Sequence, residues 1–212
     1  MSAAGVPDIA AGFSPVALRG TQASLVPLSL DHAPALAEAV QDGELWRLWY
    51  TAIPRPDAMA AEIQRRLALQ AAGSMLPFTV LDAAGTPVGM STYMHIDAVH
   101  RRVEIGSTWL AARVQRTPLN TECKWLLLQH AFERLGCIAV EFRTHRLNTG
   151  SRRAIERLGA QLDGMLRAHQ RSADGSLRDT AVYSITAAEW PTIHQHLQWQ
   201  LRARDAVPPT RP

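Results

Sequence analysis

Acid–base chemistry is the first activity that the polar residues of this sequence could supply. Glu104 stands in VEIGSTWL, an alternating segment that predicts a strand, and a carboxylate buried there could accept a proton. The structural alternative for Glu104 is a surface ion pair with Arg101 or Arg102. Scattered histidines are further candidate bases, although such residues more often lie on the surface or in a satisfied core; they are His95, His145 and His169.

Two other pairs of residues allow either a chemical or a structural reading. Asn148 and Ser151 have the spacing N-x-x-S at the start of a predicted helix, where both residue types are preferred caps, so capping alone accounts for at least one of them. Cys123 and Cys137 have no partner at metal-binding spacing and are expected to be buried small hydrophobic residues. The sequence therefore predicts no metal site.

The elements that must position these residues centre on residues 103–148. The strand VEIGSTWL places Val103, Ile105 and Trp109 on one face and has Gly106 as a bulge position. A polar turn follows, and then a helix in which Pro118 fits the first turn and Gly136 the C-terminal cap. A second alternating strand completes the unit, so we predict a parallel pair of strands joined by a right-handed crossover.

The rest of the chain adds strands and helices around this unit. QASLVPLSL predicts an edge strand, and Asp31 is the predicted cap of the helix that follows it. A second helix begins at Asp57, and residues 75–97 predict two strands joined by a turn. Beyond Asn148 we predict a short helix, a closing hairpin and a final helix.

Composition and charge favour one soluble domain. We expect an N-terminal arm over residues 1–20, a single domain over 21–203 and a tail over 204–212. No apolar run approaches the roughly 18 to 20 residues that cross a bilayer, and the N-terminus lacks a signal-peptide pattern, so we expect a cytoplasmic protein without a membrane partner. The net charge of +3 lies in short clusters such as Arg65-Arg66, which are usually solvated, so nucleic-acid binding is not expected.

The order of elements and the central motifs together resemble the GNAT superfamily of acyl-CoA-dependent N-acetyltransferases, and within it the Rim-type (RimJ/RimL-like) ribosomal-protein branch. The likeness covers residues 24–190 and rests on VEIGSTWL, QRTPLNTE, NTGSRRAIERLGA and RDTAVYSIT. It implies an α+β fold with a mixed, mostly antiparallel sheet of six to seven strands. It also implies a central parallel pair that splays to admit coenzyme A, with helices on the flanks.

The resemblance assigns roles to particular residues of this sequence. Glu104 is the implied general base, and Asn148 and Ser151 contact the cofactor and protonate the leaving thiolate. The implied cofactor-binding residues are Trp109, Leu110, Gln115, Arg116, Thr117, Pro118, Leu119, Asn120 and Thr121, together with Asn148 and Ser151. Both glycine positions of the family's phosphate turn are substituted, and Pro118 removes one N–H donor while presetting φ for the helix. For a second acidic residue the nearest matches are Asp163 and Gln170, and neither is assigned.

The sequence thus predicts an acetyl-CoA-dependent N-acetyltransferase that transfers the acetyl group directly to a primary amine. The acceptor implied by the resemblance is a protein N-terminal amino group, and a polyamine, amino acid or antibiotic is the alternative. A noncatalytic acyl-CoA-binding module is a second alternative. Aromatic residues that form either core or substrate pocket are Trp46, Trp49 and Tyr93, and an apolar final helix with Trp190, Leu197 and Trp199 favours a homodimer.

Overall fold

The core of the molecule is a single mixed sheet. The computed structural model describes residues 13–172 and 174–205. The strands are β1 Leu18–Arg19, β2 Ala23–Pro27, β3 Met75–Asp82, β4 Pro87–Asp97, β5 Arg102–Leu110, β6 Ala139–His145, β7 Gln161–Arg171 and β8 Leu177–Thr186. Their order is β1-β2-β3-β4-β5-β6-β8-β7, and only the pair β5–β6 is parallel. The predicted α+β architecture is confirmed, whereas the expected six to seven strands are wrong, because the described residues form a sheet of eight.

Five α-helices cover the sheet in the described residues: α1 Ala33–Gln41, α2 Met59–Ala71, α3 Pro118–Gln129, α4 Thr149–Arg157 and α5 Trp190–Asp205. Pro118 occupies the first turn of α3, as predicted, and Gly136, with a φ of 62°, follows the π-helical turn that ends this helix. The predicted cap Asp31 is wrong. Ser29 is the cap instead, because its hydroxyl accepts the Asp31 N–H at the start of a short 3-10 turn before α1.

Apolar residues form one cluster on each face of the sheet. The first cluster joins Val103 and Ile105 of β5 to Leu127 of α3, and this side is called the α3 face. The second joins Met90 and Trp109 to residues of α1 and α2, and this side is called the α2 face. The sequence placed Val103, Ile105 and Trp109 on one face, and the structure moves Trp109 to the other. A bulge in β5 causes this change, since one additional residue reverses the alternation of a strand.

The ends of the chain pack more closely than the sequence suggested. Leu18–Arg19, within the predicted arm, pairs with β2, and Phe13 meets Tyr93 edge-on at 5.8 Å. Residues 1–12 and 206–212 lie outside the described residues. In α5, Trp190 and Leu197 are buried in the chain's own core, and only Trp199, which is 66% exposed, is free to meet a second copy. The homodimer therefore stays a prediction with less support than the sequence gave it.

Candidate active site

A cleft opens where the parallel strands part. β5 and β6 are paired only from Arg102 to Glu104 and from Ala139 to Glu141. Beyond these residues the strands separate, and a cleft of about 810 Å³ lies between them. It is lined by the second half of β5, the turn before α3, the start of α4, and the carboxyl-terminal part of β6. A ligand-sized cleft at the carboxyl end of parallel strands is the usual location of a binding site.

The wall of this cleft contains the β5 bulge. Met90 pairs with Trp109 and Thr92 pairs with Gly106, so Ser107 and Thr108 both face Ser91. Ser107 has a φ of 47°, in the left-handed region that a residue with a side chain rarely adopts. The bulge predicted at Gly106 therefore begins one residue later, at Ser107. Such a conformation persists only where surrounding contacts hold it.

Arg66 holds the bulge from the α2 face. Its guanidinium donates to Thr92 Oγ1 at 2.8 Å, to Ser107 Oγ at 2.7 Å and to Ser107 O at 3.3 Å. Glu62 balances its charge, with 2.7 Å between Oε1 and Nε of Arg66. The sequence assigned the Arg65-Arg66 pair to a solvated face, and for Arg66 this is wrong, since the residue is 1% exposed. Its position on the buried stripe of α2, three residues after Ile63, is the signal that could have identified it.

Lys124 holds the same bulge from the α3 face. Its Nζ donates to Ser91 Oγ at 2.9 Å and to Thr108 Oγ1 at 2.7 Å, and the two hydroxyls are 2.8 Å apart. Lys124 is 6% exposed and forms no ion pair with a carboxylate among the described residues, and burial lowers the pKa of its ammonium group. Sequence reasoning missed this residue because the apolar periodicity of α3 gives no sign that a lysine lies on its buried side.

The predicted phosphate turn leads into α3 at one end of the cleft. Thr117 caps the helix through its hydroxyl, which accepts the Leu119 N–H at 3.3 Å, and Arg116 has a φ of 63°. The residues of the predicted set that line the cleft are Trp109, Leu110, Gln115, Arg116, Thr117 and Asn120. Pro118, Leu119 and Thr121 do not line it, and of these Leu119 and Thr121 are buried in the protein. The helix N-terminus itself faces the site, where its N–H groups favour an anion.

Two buried polar atoms beside this turn have no partner in the described residues. They are Trp109 Nε1 and the Asn120 amide oxygen, and both residues line the cleft. The amide of Asn120 carries both an oxygen and an NH₂ group, and a half-turn of the side chain exchanges them, so Asn120 can present either a donor or an acceptor. Buried polar atoms without partners are uncommon in folded proteins. The turn therefore fits a ligand that brings its own polar groups, as coenzyme A does with its phosphates and amides.

Asn148 and Ser151 meet at the start of α4, on the other wall of the cleft. Asn148 caps this helix, and its Oδ1 accepts the Ser151 N–H at 3.0 Å. Both residues line the cleft. The Ser151 hydroxyl has no hydrogen-bond partner among the described side chains, so it remains available to a bound molecule. The capping role accounts for Asn148, and a chemical role is left to Ser151.

Glu104 is buried in the cleft, and its partners differ from the expected ones. Its Oε2 accepts from His95 Nδ1 at 2.8 Å and lies 3.6 Å from Arg143 Nε. Arg101 donates to the Gly136 carbonyl and Arg102 pairs with Glu141, so neither forms the predicted ion pair with Glu104. The His95 side chain is 65% exposed. A buried carboxylate and an imidazole in contact with solvent together form a proton-accepting pair.

The other candidate bases and acids lie in less suitable environments. His145 is buried and accepts the Leu147 N–H at 3.0 Å, and burial, with the charges of Arg178 and Arg146, lowers its pKa. His169 lines the cleft and lies 3.1 Å from the Thr180 hydroxyl. Asp163 lies outside the cleft and accepts from Ser184, whereas Gln170 is among the lining residues. None of them contacts Glu104.

The three aromatic residues predicted for the substrate pocket separate in the structure. Tyr93 is fully buried in the core, where its hydroxyl donates to the Leu127 carbonyl, so the structure places it away from the cleft. Trp46 packs against the apolar cluster of the α2 face. Trp49 is 61% exposed and meets His145 edge-on at 5.2 Å, so it lies at the edge of the cleft. The segment around it, residues 45–53, supplies several lining residues.

The cleft is strongly cationic. Seven arginine and lysine side chains line it, and Glu104 is its only carboxylate among the described residues. Arg116, Arg153 and Arg157 belong to the phosphate turn and α4, where they suit a polyanionic ligand. The other four cations lie at the bulge or on β6 and β8. Within the described residues no group of His, Cys, Asp and Glu could hold a metal ion.

Comparisons with known proteins define the class to which this cleft belongs. The model of the acetyltransferase (GNAT) domain family matches residues 23–161. The crystal structure of a GCN5-related N-acetyltransferase from Brucella melitensis has a TM-score of 0.77 and 31% identity, covering 89% of this chain and 86% of that one. No curated protein matches the sequence. The chain belongs to the GNAT acetyltransferase family, and it is an N-acetyltransferase of the kind that uses acetyl-CoA.

The Rim-type branch is represented among the structural neighbours. RimJ from Mycobacterium smegmatis, solved with CoA-disulfide, has a TM-score of 0.74 and 22% identity over 90% of this chain and 94% of that one. An acetyl transferase from Salmonella typhimurium, which modifies the N-terminal serine of ribosomal protein L7/L12, has a TM-score of 0.72 and 17% identity over 81% and 99%. At these identities the likeness establishes the fold. No helix in the described residues has the length and apolar character to cross a membrane.

Proposed function

We propose that the protein transfers an acetyl group from acetyl-CoA directly to a primary amine, and that Glu104 and His95 together receive the amine proton. The observation that carries this assignment is the buried position of Glu104, the one carboxylate that lines the cleft in the described residues, 2.8 Å from His95. Because His95 is largely exposed, a proton that reaches it passes readily to water. A neutral amine is then available as the nucleophile without a covalent enzyme intermediate.

The cofactor site of this proposal consists of the turn before α3 and the start of α4. Acetyl-CoA, when bound, supplies the acetyl group as an activated thioester. The N–H groups at the start of α3, with Arg116 and Arg153, hold the phosphates, and Trp109 and Asn120 offer their unpartnered polar atoms. The Ser151 hydroxyl is the proton donor for the departing thiolate, and the Asn148 cap fixes the backbone that carries it.

The bulge is the proposed site of carbonyl polarisation. Ser107 and Thr108 leave the regular ladder with β4, so backbone N–H groups at the bulge can donate to the acyl oxygen as it gains charge. Arg66 and Lys124 act as positioning residues, since each holds one of the two bulge side chains, Ser107 and Thr108, from opposite faces of the sheet. The two cations also add positive potential where negative charge develops.

The acceptor is either a protein N-terminal amino group or a small-molecule amine. A matched test uses acetyl-CoA with peptides and small amines, measured by thiol release, in the wild type and in Glu104→Gln. We expect kcat/KM to fall about 100-fold or more in Glu104→Gln, as removal of a general base usually costs 10²–10⁴. Asp97→Asn is the control, because Asp97 holds His100 in a similar pair, 2.9 Å apart, that does not line the cleft.

The same assay separates an enzyme from a binding module. Stabilisation by acetyl-CoA without turnover of any amine, together with no effect of Glu104→Gln, would identify a noncatalytic acyl-CoA-binding protein. A thermal shift with acetyl-CoA and an equal loss of activity in Glu104→Gln and Asp97→Asn would remove Glu104 from the mechanism while leaving the cofactor site in place.

A further inference from the structure

We propose that the acceptor carries a carboxylate near its amine, and that Arg178 of β8 binds this carboxylate while Glu104 receives the amine proton. The inference rests on the function proposed above, because it concerns the acceptor of the same reaction. It adds the chemical class of that acceptor: an amino acid, or a peptide whose N-terminal residue is acidic. In both sources the recognised unit is an ammonium group with a carboxylate a few bonds away.

Arg178 lies on the same face of the sheet as Glu104. Thr180 of β8 is the direct partner of His145 on β6, and Arg178 donates to the Thr180 hydroxyl at 3.3 Å. His145 in turn meets Trp49 from the segment between α1 and α2. These contacts place Arg178 on the α2 face, whereas α3 with its phosphate turn lies on the α3 face. The two faces of the sheet therefore offer separate sites to the two reactants.

Arg178 is the cation in this part of the cleft that has no ion-pair partner among the described residues. Arg143 pairs with Glu141 at 2.9 Å. Asp179 pairs with Arg146 at 3.3 Å and with Arg167 at 3.0 Å. Arg178 is half-buried and lines the cleft, and among the described residues it forms no ion pair. A partly buried guanidinium without a directly paired carboxylate is unfavourable, and an incoming carboxylate supplies that partner with bidentate geometry.

Glu104 and Arg178 both line the cleft, so one small molecule bound there can meet both side chains. The carboxylate of Glu104 also raises the pKa of Arg178, although burial lowers that pKa by more, and no ion pair joins the two groups in the described residues. One carboxylate and one guanidinium on the same face of the sheet complement an ammonium and a carboxylate on one acceptor. An amine that lacks a carboxylate interacts only with Glu104. A polyamine places a second cation beside Arg178, which is repulsive.

The test compares acceptors that differ only in this carboxylate. One arm uses an amino acid and its amide, such as alanine and alaninamide, and the other uses a short peptide beginning with Asp and the same peptide beginning with Asn. For one arm at least, we expect the wild type to favour the carboxylate by about 10- to 100-fold in kcat/KM, the effect of one charge-assisted hydrogen-bonded pair. The arm that shows the preference identifies the source.

Variants at Arg178 assign the preference to this residue. Arg178→Gln should reduce the preference to within about threefold of unity and leave the amide substrates nearly unchanged, and Arg178→Lys should retain part of it. Arg171→Gln is the control, because Arg171 lies on the same hairpin, is exposed and, within the described part of the chain, donates only to the Gly175 carbonyl. A wild type without preference for the carboxylate, or a preference that survives Arg178→Gln, would overturn the proposal.

A binding measurement keeps this result separate from failure of the proposed function. The thermal shift produced by each acceptor is measured with coenzyme A present, in the wild type and in Arg178→Gln. We expect the carboxylate acceptors to stabilise the wild type and to lose this effect in Arg178→Gln, whether or not any amine is acetylated. Equal shifts in both proteins refute the role of Arg178, whereas absence of turnover with normal shifts refutes only the catalytic assignment.

Discussion

Replacement of Lys124 by Met tests whether its buried ammonium group serves activity or stability. Lys124→Met removes two hydrogen bonds from the ammonium to Ser91 and Thr108, each worth about 1.5–3 kcal/mol when one partner is charged. It also removes the cost of burying that ammonium, which is several kcal/mol. The two hydroxyls remain bonded to each other at 2.8 Å, and Met has nearly the same volume as Lys.

These effects have opposite signs, so stability should change little. We expect the free energy of unfolding to fall by no more than about 1 kcal/mol. A rise in this free energy would agree equally well with the removal of a buried charge. For a domain of this size, 1 kcal/mol corresponds to about 2–4 °C in Tm. The activity should fall much further, by about 10- to 1000-fold in kcat/KM, if Lys124 positions the bulge and supplies charge to it.

The assay therefore measures thermal unfolding and steady-state kinetics on the same preparations. A loss in kcat with little change in the KM for acetyl-CoA is expected, since the ammonium acts on the developing charge. The wild type should also lose activity at alkaline pH as Lys124 deprotonates, and burial moves this limb below the ordinary lysine pKa of about 10.4. A Tm lowered by more than about 10 °C with unchanged kcat/KM would refute the reasoning.

Three further predictions concern the fold and the cofactor turn. Glu122→Gln should lower Tm by about 6–12 °C in calorimetry, because the carboxylate accepts four hydrogen bonds from residues 21–23, and a loss below about 2 °C contradicts this anchor. Pro118→Ala restores an N–H at the start of α3 and should tighten coenzyme A binding up to about tenfold by calorimetric titration; weaker binding would show that the turn depends on the fixed φ. Burial, followed by the charge of Arg134, lowers the pKa of His130, so folding favours the neutral ring. The contribution of His130 to stability is then fully present above the pKa of the unfolded state, about 6.5, and is lost as the pH falls through this pKa toward the folded pKa. The variant His130→Gln should therefore flatten the fall in Tm between about pH 7.5 and 5.5. Parallel Tm profiles of the two proteins would contradict it.

Local patterns predicted much of the scaffold correctly. Pro118 in a polar segment before an apolar stripe marked the start of α3, and Gly136 marked its end. Both depend on backbone rules that act over a few residues. The order strand, helix, strand predicted the parallel pair, because a crossover helix restricts the topology. The short strand at Leu18–Arg19 was missed, since two residues carry no periodicity.

Predictions that depended on long-range contacts succeeded less often. Tyr93 and the partners of Glu104 could not be assigned from the sequence, since burial and ion pairing depend on which distant side chains meet. The bulge reversed the face on which Trp109 lies, and a reversal of this kind follows from one backbone angle at Ser107. Arg66 stabilises that angle across 41 residues of sequence. Periodicity cannot report such a contact.

The sequence by itself determined most of the helices and strands, their order and the class of fold, because propensity, capping and alternation are properties of neighbouring residues. Only the tertiary structure decided how the cleft is charged. It brought Arg66 and Lys124 to opposite sides of one bulge, paired Glu104 with His95, and left Arg178 without an ion-pair partner among the described residues. The physical reason is that electrostatic environment depends on distance and burial in three dimensions, and residues far apart in the chain supply both.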